Sequence, residues 1–192
     1  ARGLSLPVSV NVSGRHLQQP DFVAGLQAAL EAYPATPPGW LELEILETAA
    51  LDDVAAISRL IEVCRQLGVR FALDDFGTGY SSLTYLKHLP VQVLKIDQSF
   101  VRDLLVDADA RAIVEGVIGL STAFRREVIA EGVETDDHGC RLMQLGCDLA
   151  QGYGIARPMP PERIPAWIAG WVLPRSWANE AEPERTGPAG IH

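Results

Sequence analysis

Short apolar or β-branched runs alternate along the chain with longer segments in which apolar residues recur at helical spacing. Six runs predict strands and five longer segments predict helices. The predicted strands are residues 7–13, 40–46, 69–76, 91–97, 126–133 and 147–153. The predicted helices are residues 20–33, 52–68, 81–89, 109–124 and 135–146, and a short closing helix is expected within residues 156–174. This alternation is typical of repeated βα units built on a parallel sheet.

Each predicted strand carries a polar residue near the end of an otherwise buried run. These residues are Asn11, Glu44, Asp74 with Asp75, Lys95 with Asp97, Glu131 and Gln151. Parallel strands share one direction, so their carboxyl ends gather on a single rim, as in α/β barrels. An open doubly wound sheet would use only two or three strand ends at one crevice. Polar ends on all six strands therefore favour a TIM-like (βα)₈ barrel.

A complete barrel needs eight strands and typically about 250 residues, whereas this chain has 192 residues. We expect it to supply six βα units, the C-terminal three quarters of the domain, with the first two strands missing or provided by a partner. Unpaired sheet edges then predict marginal stability and little or no activity for the chain alone. We expect the domain to cover residues 1–174 and a polar, disordered tail to cover residues 175–192.

Composition narrows the classes of protein to which the chain can belong. A hydrophobic content of 47% predicts one sizeable core, and a net charge of −9 argues against a DNA or RNA polymer as partner. The three cysteines lack CxxC spacing, which argues against a zinc site or disulfide framework and favours the cytoplasm. The chain has neither a signal-like segment nor an apolar run of membrane-spanning length, although upstream segments could anchor a longer protein.

The chemistry of the rim indicates a metal site. Apart from the lysine, every residue of the set offers a carboxylate or amide oxygen, and none is Cys or His. Such ligands suit Mg²⁺ or Mn²⁺ rather than Zn²⁺. Adjacent aspartates can give one ligand to each of two ions, and Lys95 could orient the attacking water or pair with a phosphate oxygen. The pattern predicts metal-assisted hydrolysis of a phosphate ester.

The same residues could instead have structural roles. A single acid at a strand end is more often a helix cap or a solvated loop residue. Asp74 and Asp75 are different, because glycines already shape the loop at 76–82 and Ser81 or Ser82 suits the cap of the next helix. Lys95 and Asp97 could form a structural ion pair, Gln151 is weak by itself, and the four histidines are expected at the surface.

Six motifs occur in order and with consistent spacing. They are VNVS at 10–13, LELEILE at 41–47, DDFGTGYSSL at 74–83, LKID at 94–97, IAEGVET at 129–135 and QGY at 151–153. In these motifs the chain strongly resembles the EAL family, the bacterial phosphodiesterases of cyclic di-GMP, over residues 4–172. The resemblance implies a TIM-like barrel and Mg²⁺- or Mn²⁺-dependent hydrolysis of one phosphodiester bond, which gives linear pGpG.

The resemblance also implies roles for individual residues. The metal ligands would be Asn11, Glu44, Asp74 and Asp75, and Glu131 would be the general base or a ligand of a second ion. Lys95 would position the attacking water, with Glu134 and Gln151 supporting the site. Glu47 would brace the loop 76–82, which in the family is tied to the metal site and to dimer contacts. A homodimer and upstream sensory or GGDEF-type domains are the partners implied, beside cyclic di-GMP.

One family feature is absent from the chain. The E-A/V-L motif, whose glutamate is also a metal ligand, would precede Asn11, and the sequence begins after it. Three hypotheses therefore stay open: a cyclic di-GMP phosphodiesterase, a non-catalytic cyclic di-GMP-binding sensor module, and an unrelated metal-dependent barrel such as an enolase-like lyase. The adjacent aspartates and the single rim lysine fit the third poorly.

Overall fold

A computed structural model describes residues 6–51, 53–78 and 83–178. All six predicted strands are present, each somewhat shorter than its apolar run. They are β1 (Val8–Asn11), β2 (Leu41–Leu46), β3 (Arg70–Phe76), β4 (Val93–Ile96), β5 (Glu127–Glu131) and β6 (Leu149–Gln151).

The six strands form one parallel sheet in the order β1-β2-β3-β4-β5-β6. Each strand pairs with the next one along the chain, so the order never reverses as it does in a doubly wound sheet. Sequential parallel order is that of a barrel wall, and the expected TIM-like α/β architecture is confirmed. All six carboxyl ends consequently lie along one edge of the sheet.

The five predicted helices and the short closing helix are present, together with other short helices that the apolar spacing did not predict. The helices are α1 (Gly14–Leu17), α2 (Phe22–Ala32), α3 (Glu47–Leu51), α4 (Val54–Gln66), α5 (Leu83–His88), α6 (Gln98–Asp103), α7 (Ala108–Ala123), α8 (Asp136–Gln144), α9 (Ile164–Gly170) and α10 (Arg175–Ala178), with a 3₁₀ turn at Pro161–Arg163. The helices that were missed span one or two turns, too short for a helical period to emerge. Two of them begin at caps, where Ser13 accepts from His16 N and Asp97 accepts from Ser99 N.

The core lies between the middle strands and the helices. Every residue of β4 is buried, as are Phe71, Ala72 and Leu73 of β3, which is the near-continuous apolar character of a parallel strand covered on both faces. The outer strands are more open, since Val8 of β1 is 59% exposed and Leu149 of β6 is 42% exposed. The middle of the sheet is thus the rigid part that carries the functional residues.

The C-terminal segment and one histidine depart from the expectations. Residues 175–178 were expected in a disordered tail, but they form α10, and Trp177 is buried with its indole N–H donating to the carbonyl oxygen of Asp136. Gly139 leaves the space for this ring, because a Cβ there would overlap with the indole. His138 is buried and not at the surface as expected. Its Nδ1 accepts a hydrogen bond from the backbone N–H of Glu134. Residues 179–192 lie outside the described part.

Candidate metal centre

Strand register brings the predicted residues of the rim together. Asn11 at the end of β1 is opposite Glu44 of β2, and Glu131 at the end of β5 is opposite Gln151 of β6. Between them, β3 and β4 supply the aspartate pair and Lys95. The outer positions are solvent-accessible, whereas Lys95 is only 2% exposed. The rim therefore has a buried centre with polar residues around it.

A bulge in β3 explains how two adjacent aspartates reach the same side. Consecutive side chains of a regular strand point to opposite faces. The pairing of β3 with β4 advances three residues from Leu73 to Phe76 while β4 advances two, and Asp75 has a φ of 54°. A bulge with a left-handed residue re-aims side chains in this way. The backbone strain at Asp75, uncommon outside glycine, is thus located at the candidate site.

Three carboxylates meet at this bulge. One oxygen each from Asp74, Asp75 and Glu131 lies within 4.8 Å of the other two. Oδ1 of Asp74 is buried and makes no hydrogen bond among the described residues, although Nζ of Lys95 is 3.0 Å away. An under-satisfied buried oxygen in a set of oxygen ligands fits a hard divalent cation. The carboxylate cluster expected at the rim is present.

Lys95 is the cation at the centre of these acids. Its Nζ lies 2.7 Å from Oε2 of Glu44, 2.5 Å from Oε1 of Glu131 and 3.0 Å from Oδ1 of Asp74. These contacts join strands β2, β3, β4 and β5 through one ammonium group. The alternative of an ion pair between Lys95 and Asp97 is not what the structure shows, because Asp97 caps α6 and bonds to Ser99.

Burial and charge shift the pKa values of the central groups. Burial opposes the charged form of Lys95, but hydrogen bonds to Glu131 and Glu44 outweigh it and raise the lysine pKa. Burial raises the pKa of Glu131, and the hydrogen bond from Lys95 offsets only part of that effect. Burial, then the charge of Asp74 and a hydrogen bond with Asp97, raise the pKa of Asp75. A positive charge beside these two carboxyls, such as a bound cation, would stabilise their deprotonated forms.

Other predicted residues of the site are less central than the three carboxylates. Glu44 is buried and pairs with Lys95 through Oε2, so it is joined to the cluster through the lysine. Asn11 is exposed at the edge strand and is joined to the site by its register with Glu44. Glu134 is exposed and lies in the loop after β5. The structure thus brings Lys95, Glu44 and the three carboxylates into one group, with Asn11 and Glu134 at its margin.

Gln151 and its neighbours hold the segment that follows Glu131. The amide Nε2 of Gln151 donates to Oε1 of Glu131 at 2.7 Å. The backbone N–H of Val133 donates to the carbonyl of Gln151, and that of Gly154 donates to the carbonyl of Val133. A Cβ at Gly152 would overlap with the Val133 backbone, so only glycine permits this close approach. The end of β6 therefore fixes the position of Glu131.

Glu47 lies under the loop that follows the aspartate pair. It is 1% exposed, its Oε2 accepts from Gly77 N at 3.1 Å, and its Oε1 accepts from the hydroxyl of Tyr85 at 2.6 Å. Glu47 therefore contacts the loop that it was expected to support. Residues 79–82 of that loop, including both serines considered as caps, lie outside the described part of the chain.

A cavity of about 480 Å³ opens beside the carboxylates, and the sequence did not point to two of its residues. It is lined by Glu131, Glu134 and Gln151, and also by Tyr153 and Arg157. The guanidinium of Arg157 lies over the Tyr153 ring, 4.6 Å from the centroid, as in a cation–π pair. Arg157 brings a positive charge to an acidic cavity. The sequence signal for this pair was an arginine four residues after a tyrosine, in a proline-rich loop.

Comparisons with known proteins identify sequence and structural relatives of the chain. A sequence profile described as the EAL domain matches residues 2–158. A cyclic di-GMP phosphodiesterase of Pseudomonas aeruginosa is 39% identical over 88% of the chain, and the bifunctional diguanylate cyclase/cyclic di-GMP phosphodiesterase MucR of the same species is 39% identical over 84%. The solved PaMucR phosphodiesterase in complex with c-di-GMP superposes with a TM-score of 0.79 at 39% identity over 82% of the chain.

The chain is short relative to these proteins. It spans 28% and 24% of the length of the two curated relatives and 64% of the solved PaMucR chain. No helix in the described ranges is both long enough and apolar enough to cross a membrane.

Proposed function

The chain belongs to the EAL domain family, and on that premise we propose that it hydrolyses cyclic di-GMP to linear pGpG in bacterial second-messenger signalling. Two relatives that are named as cyclic di-GMP phosphodiesterases support this substrate. The complex of the similar PaMucR phosphodiesterase with c-di-GMP supports it from structure. The acidic rim with one buried lysine supports a reaction at a phosphodiester rather than binding alone.

The observation that carries the proposal is the convergence of Asp74, Asp75 and Glu131 beside Lys95. Three carboxylate oxygens within 4.8 Å repel one another unless positive charge lies between them. Lys95 supplies one charge, yet Oδ1 of Asp74 still makes no hydrogen bond among the described residues. A divalent cation would complete both the charge balance and the coordination of that oxygen.

The cations that suit the site best are Mg²⁺ or Mn²⁺, and we propose that two are held. All the proposed ligands offer oxygen, the donor that both ions prefer. The proposed ligands are Asn11, Glu44, Asp74, Asp75 and Glu131. Glu44 uses Oε2 for Lys95, which leaves Oε1 for an ion. Such ions, when bound, stabilise charge on the phosphodiester and make water more acidic.

The protein's own groups would position and deprotonate the attacking water. Glu131 would act as general base or as a ligand of the second ion, and as a base its raised pKa brings it nearer to the operating pH. Lys95 holds the carboxylates of Glu131, Asp74 and Glu44 in place and would orient the water. Gln151 fixes Glu131 through its amide, and Arg157 would pair with a phosphate of the substrate.

The supporting residues and the wider assembly belong to the same proposal. Glu134 lines the cavity and would contact substrate, and Glu47 would keep the loop after Asp75 in a productive position. We propose a homodimer, an additional sensory or GGDEF-type domain in the longer protein, and a cytoplasmic location for this domain. MucR, which carries both cyclase and phosphodiesterase activities in its name, supports the domain partner.

Product chromatography tests the proposed reaction. Because little or no activity is expected of the chain alone, a longer protein that carries this chain together with the two strands expected before it is incubated with cyclic di-GMP and Mg²⁺ or Mn²⁺. The pGpG formed is quantified beside the Asp75→Asn variant. We expect pGpG from the wild-type protein, none in EDTA and at least about a hundredfold less from Asp75→Asn, the loss typical of a removed group that stabilises transition-state charge. Asp103→Asn, which changes a half-exposed acid of α6 that does not line the site, is the matched control.

A binding module without catalysis is the alternative that the same samples resolve. Binding of cyclic di-GMP with no linear product from any metal would establish it and exclude the proposed reaction. Proton exchange on a carboxylate substrate, with no action on cyclic di-GMP, would point to the enolase-like alternative.

A further inference from the structure

The opposite end of the sheet holds a second cavity, of about 530 Å³, with four arginines in its wall. It lies where β3, β4 and β5 begin, so the length of the strands separates it from the acidic rim. Its wall includes Arg65, Arg70, Arg125 and Arg126, and Glu127 is the one acid that lines it among the residues that the structure describes. A chain with a net charge of −9 and only 16 lysines and arginines places four of them around one cavity. Such focusing of positive charge favours an anionic ligand.

Two of the four arginines are already neutralised. Arg70 lies 2.5 Å from Glu127 and 3.4 Å from Glu42, and Arg65 lies 2.8 Å from Glu62. Arg125 and Arg126 form no ion pair with any acid in the described ranges. The cavity therefore keeps two uncompensated positive charges side by side at the turn between α7 and β5.

Arg126 is fixed by two hydrogen bonds, and another of its donors has no hydrogen-bond partner among the described residues. Its Nη2 donates to the carbonyl oxygens of Leu86 at 2.5 Å and Leu89 at 2.7 Å, and its guanidinium carbon lies 5.6 Å from the centre of the Phe124 ring. Its Nη1 is buried and has no hydrogen-bond partner among the described residues. Burial lowers the pKa of this arginine, as expected where a charge lacks compensation. Arg126 therefore holds an uncompensated positive charge at the cavity wall.

Arg125 occupies a backbone position that favours glycine. Its φ is 55°, and the N–H groups of Arg125 and Arg126 bond back to the carbonyls of Thr122 and Ser121 at the end of α7. Glycine is the common residue in this left-handed position after a helix. An arginine there costs conformational energy and adds a guanidinium to the cavity wall.

We propose that this cavity is a second ligand site, which binds a small molecule bearing phosphate groups. Guanidinium groups pair with phosphate oxygens through short, charge-assisted hydrogen bonds. The volume admits a diphosphate and leaves space beside Phe124 for a further group. The site is independent of the proposed hydrolysis, since it shares no residue with the carboxylate rim.

The proposal is tested by titrating the protein with inorganic pyrophosphate in EDTA, using calorimetry and ³¹P line broadening. Without divalent metal the acidic rim repels the probe, so binding reports on the arginine cavity. Arg125→Gly removes one guanidinium and suits the left-handed backbone, so the variant should fold at least as well as the wild type. Arg102→Gln removes one charge from an exposed side chain elsewhere and is the control.

We expect pyrophosphate to bind the wild type and Arg102→Gln equally, and Arg125→Gly about tenfold more weakly, the value of one hydrogen bond to a charged group. A parallel titration with guanosine diphosphate identifies the source of the phosphates. Equal affinity indicates recognition of phosphate alone, and tighter binding indicates a nucleotide. Absence of pyrophosphate binding at millimolar concentration, or equal weakening in both variants, overturns the proposal.

Discussion

At the scale of single residues, the site depends on the balance of charge around Lys95. One buried ammonium contacts Glu44, Asp74 and Glu131, which come from three different strands. Three carboxylates against one ammonium leave negative charge in excess. The same imbalance that would draw in a divalent cation leads us to expect that the lysine stabilises the fold when no metal is bound.

Lys95→Met should therefore destabilise the protein strongly. Removing one partner of a buried ion pair typically costs about 3–5 kcal/mol of unfolding free energy, because the remaining charges are uncompensated. Urea unfolding in EDTA measures the effect, and Mg²⁺ should restore part of the lost stability. Lys87→Met, at an exposed position of α5, is the control and should change little. Equal stability of the two variants would contradict the role assigned to Lys95.

The raised pKa values of Asp75 and Glu131 predict how Mg²⁺ stabilises the fold as pH changes. A carboxyl whose pKa is raised in the folded state contributes stability below its unfolded pKa, and this contribution is lost as pH rises through the folded value. The metal-free protein should lose it as pH rises from the unfolded carboxyl values, about pH 4, towards neutrality. Mg²⁺ binds the deprotonated groups, so the rise in melting temperature that it produces should grow over this interval. A rise that is the same at both ends would contradict the prediction.

At the scale of elements, the end of β6 positions the segment after β5. Gly152→Ala should place a methyl group against the Val133 backbone and cost about 1–3 kcal/mol of unfolding free energy. Phosphodiesterase activity should fall as well, because Glu131 and Glu134 flank that backbone. Gly119→Ala, in open space on α7, is the matched control and should stabilise the fold by about 0.5–1 kcal/mol. Loss of stability in both variants alike would argue against this packing.

The sequence predicts the six strands and five long helices well, because burial repeats with the period of each element. It does not predict the one-turn helices, which depend on caps such as Ser13 and Asp97 and not on an apolar period. The helix α10 was missed because its docking rests on Trp177 and the space at Gly139, two residues far apart in the chain.

The sequence indicates which strand ends form the candidate site, but not how their side chains are arranged. Parallel strands must bring their ends together, so Asp74, Lys95 and Glu131 could be placed on one rim. The bulge that turns Asp74 and Asp75 to the same side is set by pairing with β4, which no local pattern shows. The stacking of Arg157 on Tyr153 likewise depends on the loop after β6.

At the scale of the whole molecule, the sheet has apolar residues exposed on both outer strands. Val8 and Val10 of β1 are 59% and 43% exposed, and Leu149 of β6 is 42% exposed. An accessible strand edge with apolar side chains favours pairing between molecules. Self-association of this chain should therefore begin at these edges.

Val8→Lys should reduce such association, since a charged side chain on an edge strand opposes pairing. Light scattering at rising protein concentration measures the effect, with Val106→Lys as the control. Val106 is 86% exposed and lies between helices, so that change adds the same charge away from the sheet. Equal reduction by both variants would indicate a general effect of charge and would remove the strand edge from the explanation.

The central claim is that Asp74, Asp75 and Glu131 hold the cation on which hydrolysis of cyclic di-GMP depends. The most direct test measures Mn²⁺ binding by calorimetry and pGpG formation on the same protein across one range of Mn²⁺ concentrations. We expect both curves to rise together and both to be lost in Asp75→Asn. Undiminished Mn²⁺ binding by Asp75→Asn, or product formed without any divalent cation, would contradict the claim.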